Sequence, residues 1–492
     1  MRTGRHTLYN LGGAGASLAI MLVTVPLYMR AVGEARYGIL AIVWLLLGYF
    51  SVFDLGLGRA CAQAIAASDP DRADHRNDIV WSALLANAGF GGIGGGALFL
   101  AAGLVLPNVM ARNGALLGEV MVVLPWLAAA VPIATTTAVF NGVLLGRGRF
   151  LEMNLLVVAG SALFQILPVV VAGRVGPQLE YVIPAAIVAR ILGVIPIVIV
   201  SARVLPIGRP RRACLAELPR LLRFGLWVSG ASLVAPLLAS ADRMIIGLLA
   251  GPSAVSHYVV PLSIADRLNV LPRSLAQSLF PELAADRDDA QTKRRVRNIV
   301  LGLSALLAPA SCAAIALLPA FLALWIGPAF AAQSSLTGQI LFVGVWLNVA
   351  AIVPHTMLHA IGRPDLPLKF YLIEIGPYLL LLWLGLSFGG IAGAAGAWSL
   401  RTGADMVLMI VGTGLGWSTV WRLLPHFGLL SLALLAGQFA PDPALRAIVQ
   451  TGIVAVSLAL AWHRFPLDFW RGRLGWRVKR TQSPDGQIGE IA

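Results

Sequence analysis

Long apolar runs alternate with short polar breaks along the whole chain. Runs of about 20 residues recur from Leu8 to Trp462, the length a helix needs to cross a hydrocarbon core of about 30 Å at 1.5 Å per residue. Hydropathy and turn residues place the runs at 8–30, 37–67, 79–106, 120–145, 151–172 and 181–203. A second set follows at 223–250, 255–281, 298–326, 336–361, 367–388 and 391–416, and a last pair at 426–440 and 444–463. The runs lack the period-two alternation of a membrane β-barrel. The pattern predicts an all-α polytopic membrane protein with about 14 transmembrane helices.

Composition agrees. The chain is 58% hydrophobic and 12% charged, against about 45–50% and about 25% for a soluble domain. The first apolar run, behind Arg2 and Arg5, is longer than the apolar part of a leader peptide and is read as a retained helix. Cys61, Cys214 and Cys312 have neither disulfide-framework nor zinc-site spacing, so no metal or cofactor is implied.

The net charge of +14 could point to nucleic acid, but its distribution is a topology signal. With both termini inside, 26 of the 37 Lys and Arg residues fall on the inner side and five on the outer side, namely Arg30, Arg36, Arg112, Arg174 and Arg446. That is the positive-inside pattern of a cytoplasmic-membrane protein, and no nucleic acid partner is needed to explain the charge. The outer loops are short. Their only carboxylates are Glu34 and Asp442, with Glu119 and Glu180 at span edges, so they offer no room for an outer catalytic centre and the chain is not read as an enzyme.

The first twelve runs divide into halves that resemble each other. Each opens with a long span, a glycine and then a tyrosine: Gly33 and Tyr37 in the first half, Gly251 and Tyr258 in the second. An even number of spans per half makes the repeat parallel, two six-helix lobes about an axis along the membrane normal. The expected organisation is an N-terminal lobe over 1–205, a basic cytoplasmic linker over 206–222, a C-terminal lobe over 223–416, two additional helices over 417–464 and a basic tail over 465–492. Trp470 and Trp476 among the tail's cations suit the anionic inner leaflet.

Eleven ionisable residues interrupt the spans: Asp54, Arg59, Arg190, Asp242, Arg243, Asp266, Arg267, Arg273, Glu374, Arg401 and Asp405. Each costs about 2.5–3.5 kcal/mol near the bilayer centre, so such groups face an interior or a water-filled cavity. Arg190 and Arg401 lie 211 positions apart, Arg59 and Arg273 214, and Gly33 and Gly251 218, which places arginines at matched positions in both lobes. Arginine stays charged when partly desolvated and grips phosphate oxygens with a planar fork. Arg59, Arg190, Arg267, Arg273 and Arg401 are therefore the candidate ligands for an anionic, phosphate-bearing substrate in a central cavity. Asp54, Asp242, Arg243, Asp266, Glu374 and Asp405 are the candidates for charge pairing or ion coupling. Adjacent residues on a helix diverge by about 100°, so Asp242 and Arg243 must each find a partner elsewhere.

Three other features read as structural. His355 and His359 share a helix face, but Thr356 stands where a HExxH zinc motif needs glutamate, so they read as polar cavity lining. The glycine run over 89–99 lies inside a span and reads as close helix packing rather than a phosphate loop. Asp69, Asp71 and Asp74 are interrupted by Arg72 and read as a solvated loop.

The opening of the chain resembles the polysaccharide-biosynthesis flippases of the multidrug/oligosaccharidyl-lipid/polysaccharide exporter superfamily. The marks are Asn10, the spacing of Pro26, Arg30 and Gly33, the pair Tyr37-Gly38, and Asp54 with Gly56; SADRMIIG begins a similar pattern in the second half. The resemblance covers about residues 8–416. It implies a V-shaped two-lobed bundle that translocates a polyprenyl-diphosphate-linked oligosaccharide to the outer leaflet by alternating access, with membrane lipids and polysaccharide polymerase or glycosyltransferase machinery as partners. The alternatives it leaves are a murein-precursor flippase and a drug or metabolite exporter. Drug-exporting relatives carry an acidic residue in the first span, and this chain has none there.

Overall fold

A computed structural model describes residues 19–68, 73–109, 114–205, 208–210, 217–219, 221–222, 234–285, 289–439 and 442–464. Asn10, Asp69, Asp71, Arg72, most of the basic linker and the tail from 465 onward lie outside the described residues.

Every regular element among the described residues is helical. The first half contains α1 (Ala19–Val32), α2 (Glu34–Tyr49), α3 (Leu57–Ala67), α4 (Ala73–Val109), α5 (Gly114–Gly146), α6 (Phe150–Arg174) and α7 (Leu179–Val204). The second contains α8 (Val234–Leu249), α9 (Pro252–Ala265), α10 (Val270–Ala285), α11 (Asp289–Trp325), α12 (Pro328–Ala360) and α13 (Asp365–Gly412). Two more, α14 (Trp417–Phe439) and α15 (Pro443–Arg464), pack against α11.

Among the described residues, nine helices are long and apolar enough to cross a membrane: α4 to α7 and α11 to α15. The expected count of about 14 does not appear as separate helices, because helix boundaries and span boundaries differ. α13 has 48 residues, about 72 Å if straight. Gly390, at φ 56° and ψ −145°, breaks it. Gly385 and Gly393 then sit so close that a Cβ on either would overlap the other's backbone. Residues eight apart on a straight helix are about 12 Å apart, so the chain folds back as a hairpin of two spans. Conversely, the run over 37–67 is split into α2 and α3 by a 3₁₀ turn, Phe50–Asp54, and that over 255–281 into α9 and α10 by another, Asp266–Asn269.

These breaks are the repeat made visible. Gly33 enters α2 at φ 80°, ψ 167° and Gly251 enters α9 at φ 89°, ψ 171°. Both conformations favour residues without a Cβ, which is why a glycine opens the second span of each half.

The halves meet where these two glycines lie. α2 packs on α9, and Gly38 lies so close to Pro252 that a Cβ would overlap its carbonyl oxygen. His257 Nε2 is 3.3 Å from Glu34 Oε2, and Trp325 donates from Nε1 to the Leu22 carbonyl at 2.7 Å. The glycine run also packs closely: a Cβ on Gly91 or Gly95 would run into α5 at Pro132 or Ala128.

Candidate functional site

Two adjoining cavities open in the second half, away from the contact between Gly38 and Pro252. The narrower, about 470 Å³, is bordered by Arg243, Arg267, Arg273 and Arg401, with Asp266 and Asp405. The wider, about 730 Å³, is bordered by His355, Thr356, His359, Gln277 and Phe280. Arg273, Asn348, Tyr371 and Asp405 border both, so the two are chambers of one site.

Helix periodicity explains the lining. On α12, Asn348, Ile352, His355 and His359 are four, three and four apart and form one stripe. On α13, Trp398, Arg401, Thr402 and Asp405 repeat the pattern. Arg267 lies in the 3₁₀ turn and Arg273 in the first turn of α10, so the break in the span turns both arginines toward the cavity.

The charges divide into paired and unpaired groups. Arg401 donates from Nε to Glu374 Oε2 at 3.1 Å, with both side chains nearly buried, and its guanidinium lies 5.3 Å from the centre of the Tyr378 ring. Asp405 stands beside this pair. Asp266 accepts from Asn269 at 2.8 Å and from Arg273 at 3.3 Å. Arg243 and Arg267 are half-buried, and among the described residues neither guanidinium reaches a carboxylate. Arg267 has only a 3.5 Å contact to the Met21 sulfur, and the Nε of each arginine is buried without a partner.

The other predicted residues lie elsewhere. Asp242 is fully buried and accepts from the Tyr258 hydroxyl at 2.7 Å, and the Arg243 backbone N–H donates to its other oxygen at 2.8 Å. It ties α8 to α9 and does not border either chamber. Asp54 accepts from the Gly58 N–H at the start of α3 and from the Asn87 amide; it caps a broken span. Arg59 is exposed beside Asp54, and Arg190 is half-buried on α7. Neither borders a chamber, so the cationic lining of these two chambers comes from the second half, where matched arginines from both lobes were expected.

Sequence reasoning assigned Arg243 to pairing and did not single out Asn348 or Tyr371. The signal for Asn348 was present as an amide inside an apolar stretch of α12. It also missed Arg36, which grips Glu119 with three hydrogen bonds, Nε to Oε2 at 2.9 Å and to Oε1 at 3.2 Å, and Nη2 to Oε1 at 2.6 Å. The Leu179 N–H donates to Glu119 as well, at 2.8 Å. Glu119 is thus a structural anchor joining α2, α5 and α7.

Residues 3–285 match the family described as "Polysaccharide biosynthesis protein". The chain belongs to that family. Among curated relatives, a Shigella flexneri protein named "Putative O-antigen transporter" is 22% identical over 405 residues, 82% of this chain and 96% of that protein. Among solved structures, an inward-facing multidrug resistance MATE transporter of the MOP superfamily superposes with a TM-score of 0.62 at 17% identity, covering 85% of this chain and 99% of its own. The inward closed form of the lipid II flippase MurJ also gives 0.62, at 13% identity, covering 93% and 99%. At these identities the structures establish a shared fold: this member of the polysaccharide biosynthesis family has the helical architecture of that exporter superfamily.

Proposed function

We propose that the chain is a flippase that moves a polyprenyl-diphosphate-linked oligosaccharide from the cytoplasmic to the outer leaflet by alternating access, for surface polysaccharide synthesis. The observation that carries this reading is Arg243 and Arg267, two half-buried guanidiniums without a carboxylate in a cavity. A buried charge without a partner is costly, and a diphosphate supplies the missing partner with bidentate geometry. Family membership and the likeness to a protein named for O-antigen transport support an oligosaccharide cargo, and the resemblance of the sequence to the polysaccharide flippases implies the prenyl carrier. The chemistry is translocation: no bond of the substrate changes, and the reading is of a transporter rather than an enzyme.

The positive-inside count supports a reading with both termini in the cytoplasm and the protein in the bacterial inner membrane. In that orientation the lobe contact at Gly38 and Pro252 is on the outer side and the chambers face inward, ready to receive a head group from the cytoplasmic leaflet. We take the lobes as 1–205 and 223–416, the linker as 206–222 and the appended helices as 417–464. An inside-negative potential drives a diphosphate with about two negative charges outward by about 2.3 kcal/mol per charge per 100 mV. Polymerase or glycosyltransferase machinery at the membrane would supply and consume the substrate.

The test is leaflet analysis in a strain lacking the transporter. Completed lipid-linked repeat units held on the cytoplasmic side, with loss of surface polysaccharide, is the expected result. Unchanged leaflet distribution and intact surface polysaccharide, in a strain without a second transporter of this kind, would overturn it.

A further inference from the structure

The wider chamber has a chemistry the arginines do not explain. Beyond Arg273 and Asp405 at the shared border, its polar lining is made of groups that both donate and accept: the Asn348 and Gln277 amides, the His355 and His359 imidazoles and the Thr356 and Tyr371 hydroxyls. Among the described residues, the side chains of Asn348, His355 and Tyr371 make no hydrogen bond. Their capacity is unspent and directed at one space. His355 packs at a tilt of 45° against His359 with ring centres 4.6 Å apart and lies 6.3 Å from the Tyr371 ring, so ring surfaces stand next to the hydrogen-bonding groups. Asp405 is more than nine-tenths buried, and its Oδ1 has no hydrogen-bond partner at the border of the two chambers.

A second phosphate would find only Arg273 as a cation in this lining, and a prenyl chain would leave its amide, imidazole and hydroxyl groups without partners. A sugar fits both halves of the lining. Its hydroxyls donate and accept, its C–H face packs on aromatic rings, and a carboxylate such as Asp405 accepts from a hydroxyl pair. The order of the chambers matches the order of a glycan linked through a diphosphate: charge beside Arg243 and Arg267, hydroxyls beyond Asn348 and Tyr371. We infer that the wider chamber is a carbohydrate subsite for the sugars next to the diphosphate, with Asn348, His355 and Tyr371 determining which glycan is accepted. This rests on the flippase reading for the attachment of sugar to diphosphate.

The experiment uses the full chain with Cys61, Cys214 and Cys312 replaced by alanine, carrying either Ser263→Cys in the arginine chamber or Thr356→Cys in the wider one. Maleimide labelling is measured with farnesyl diphosphate and with lipid-linked oligosaccharide extracted from cells lacking the transporter. Both ligands should slow labelling at Ser263→Cys, by about tenfold at ten times Kd from mass action. Only the glycosylated lipid should protect Thr356→Cys, and adding His355→Phe should weaken that protection while leaving farnesyl diphosphate protection at Ser263→Cys unchanged. Equal protection of Thr356→Cys by farnesyl diphosphate, or no protection by the glycosylated lipid, overturns the subsite. If neither ligand protects Ser263→Cys, the diphosphate assignment fails as well, and the subsite falls with it.

Discussion

Arg401 Nε stands 3.1 Å from Glu374 Oε2 with both side chains nearly buried, while Arg243 and Arg267 border the same chamber and neither guanidinium reaches a carboxylate among the described residues. Arg401 is held by the protein and the other two are available to a ligand. The same residue type therefore serves two roles, and substitution should separate them.

Alanine at Arg243 or Arg267 removes a half-buried charge that pairs with no carboxylate among the described residues. Thermal stability of the purified protein should change little, while export of lipid-linked oligosaccharide falls at least tenfold at normal protein levels. Wild-type export by the Arg243→Ala/Arg267→Ala double variant would refute their role.

Arg401→Ala leaves Glu374 buried without its partner. Removing one member of a buried ion pair typically costs about 3–5 kcal/mol, and replacing both with apolar residues is often neutral. Arg401→Ala should therefore unfold at clearly lower temperature than wild type, and Arg401→Leu/Glu374→Leu should recover most of the loss. Differential scanning fluorimetry in detergent reads both, and a stable Arg401→Ala would show that the pair is not a structural clasp.

The Tyr258 hydroxyl supplies the side-chain hydrogen bond to Asp242. Tyr258→Phe should cost about 1–3 kcal/mol by leaving a buried acceptor short of a donor. Asp242→Asn keeps an acceptor oxygen for Tyr258 and should be the milder change. Comparing their unfolding midpoints tests whether Asp242 ties α8 to α9.

Gly38→Ala places a methyl where the Pro252 carbonyl already lies. The lobes must part at that point, so the population closed on this side should fall. Cross-linking between cysteines at Glu34 and His257, whose side chains meet across the lobes at 3.3 Å, should drop in the Gly38→Ala background. Unchanged cross-linking would mean that the contact is not part of the closed gate.

Much of the fold was legible because the bilayer imposes it. Each apolar run must satisfy its own backbone hydrogen bonds as a helix, so the runs at 151–172 and 181–203 reappear as α6 and α7 with small boundary shifts. The repeat was readable from Gly33 and Gly251 because positive φ excludes most other residues. The broken spans were not readable: the 3₁₀ turns at Phe50–Asp54 and Asp266–Asn269 lie within longer apolar runs, and hydropathy does not register a change of hydrogen-bond pattern along a helix.

The sequence by itself determined that charged residues sit in the membrane and that arginine dominates among them. Insertion cost alone requires such groups to face a partner or water, and side-chain chemistry alone makes arginine a phosphate ligand. Which arginines are free was decided by tertiary structure, because pairing depends on contacts between residues far apart in the chain. Glu374 is 27 residues from Arg401, and only the fold of the α13 hairpin at Gly390 brings them together. Tyr258 reaches Asp242 because α8 and α9 pack side by side. Asn348, His355 and Tyr371 became a candidate sugar site for the same reason: each is one polar residue in an apolar run until α12 and α13 place them around a single cavity.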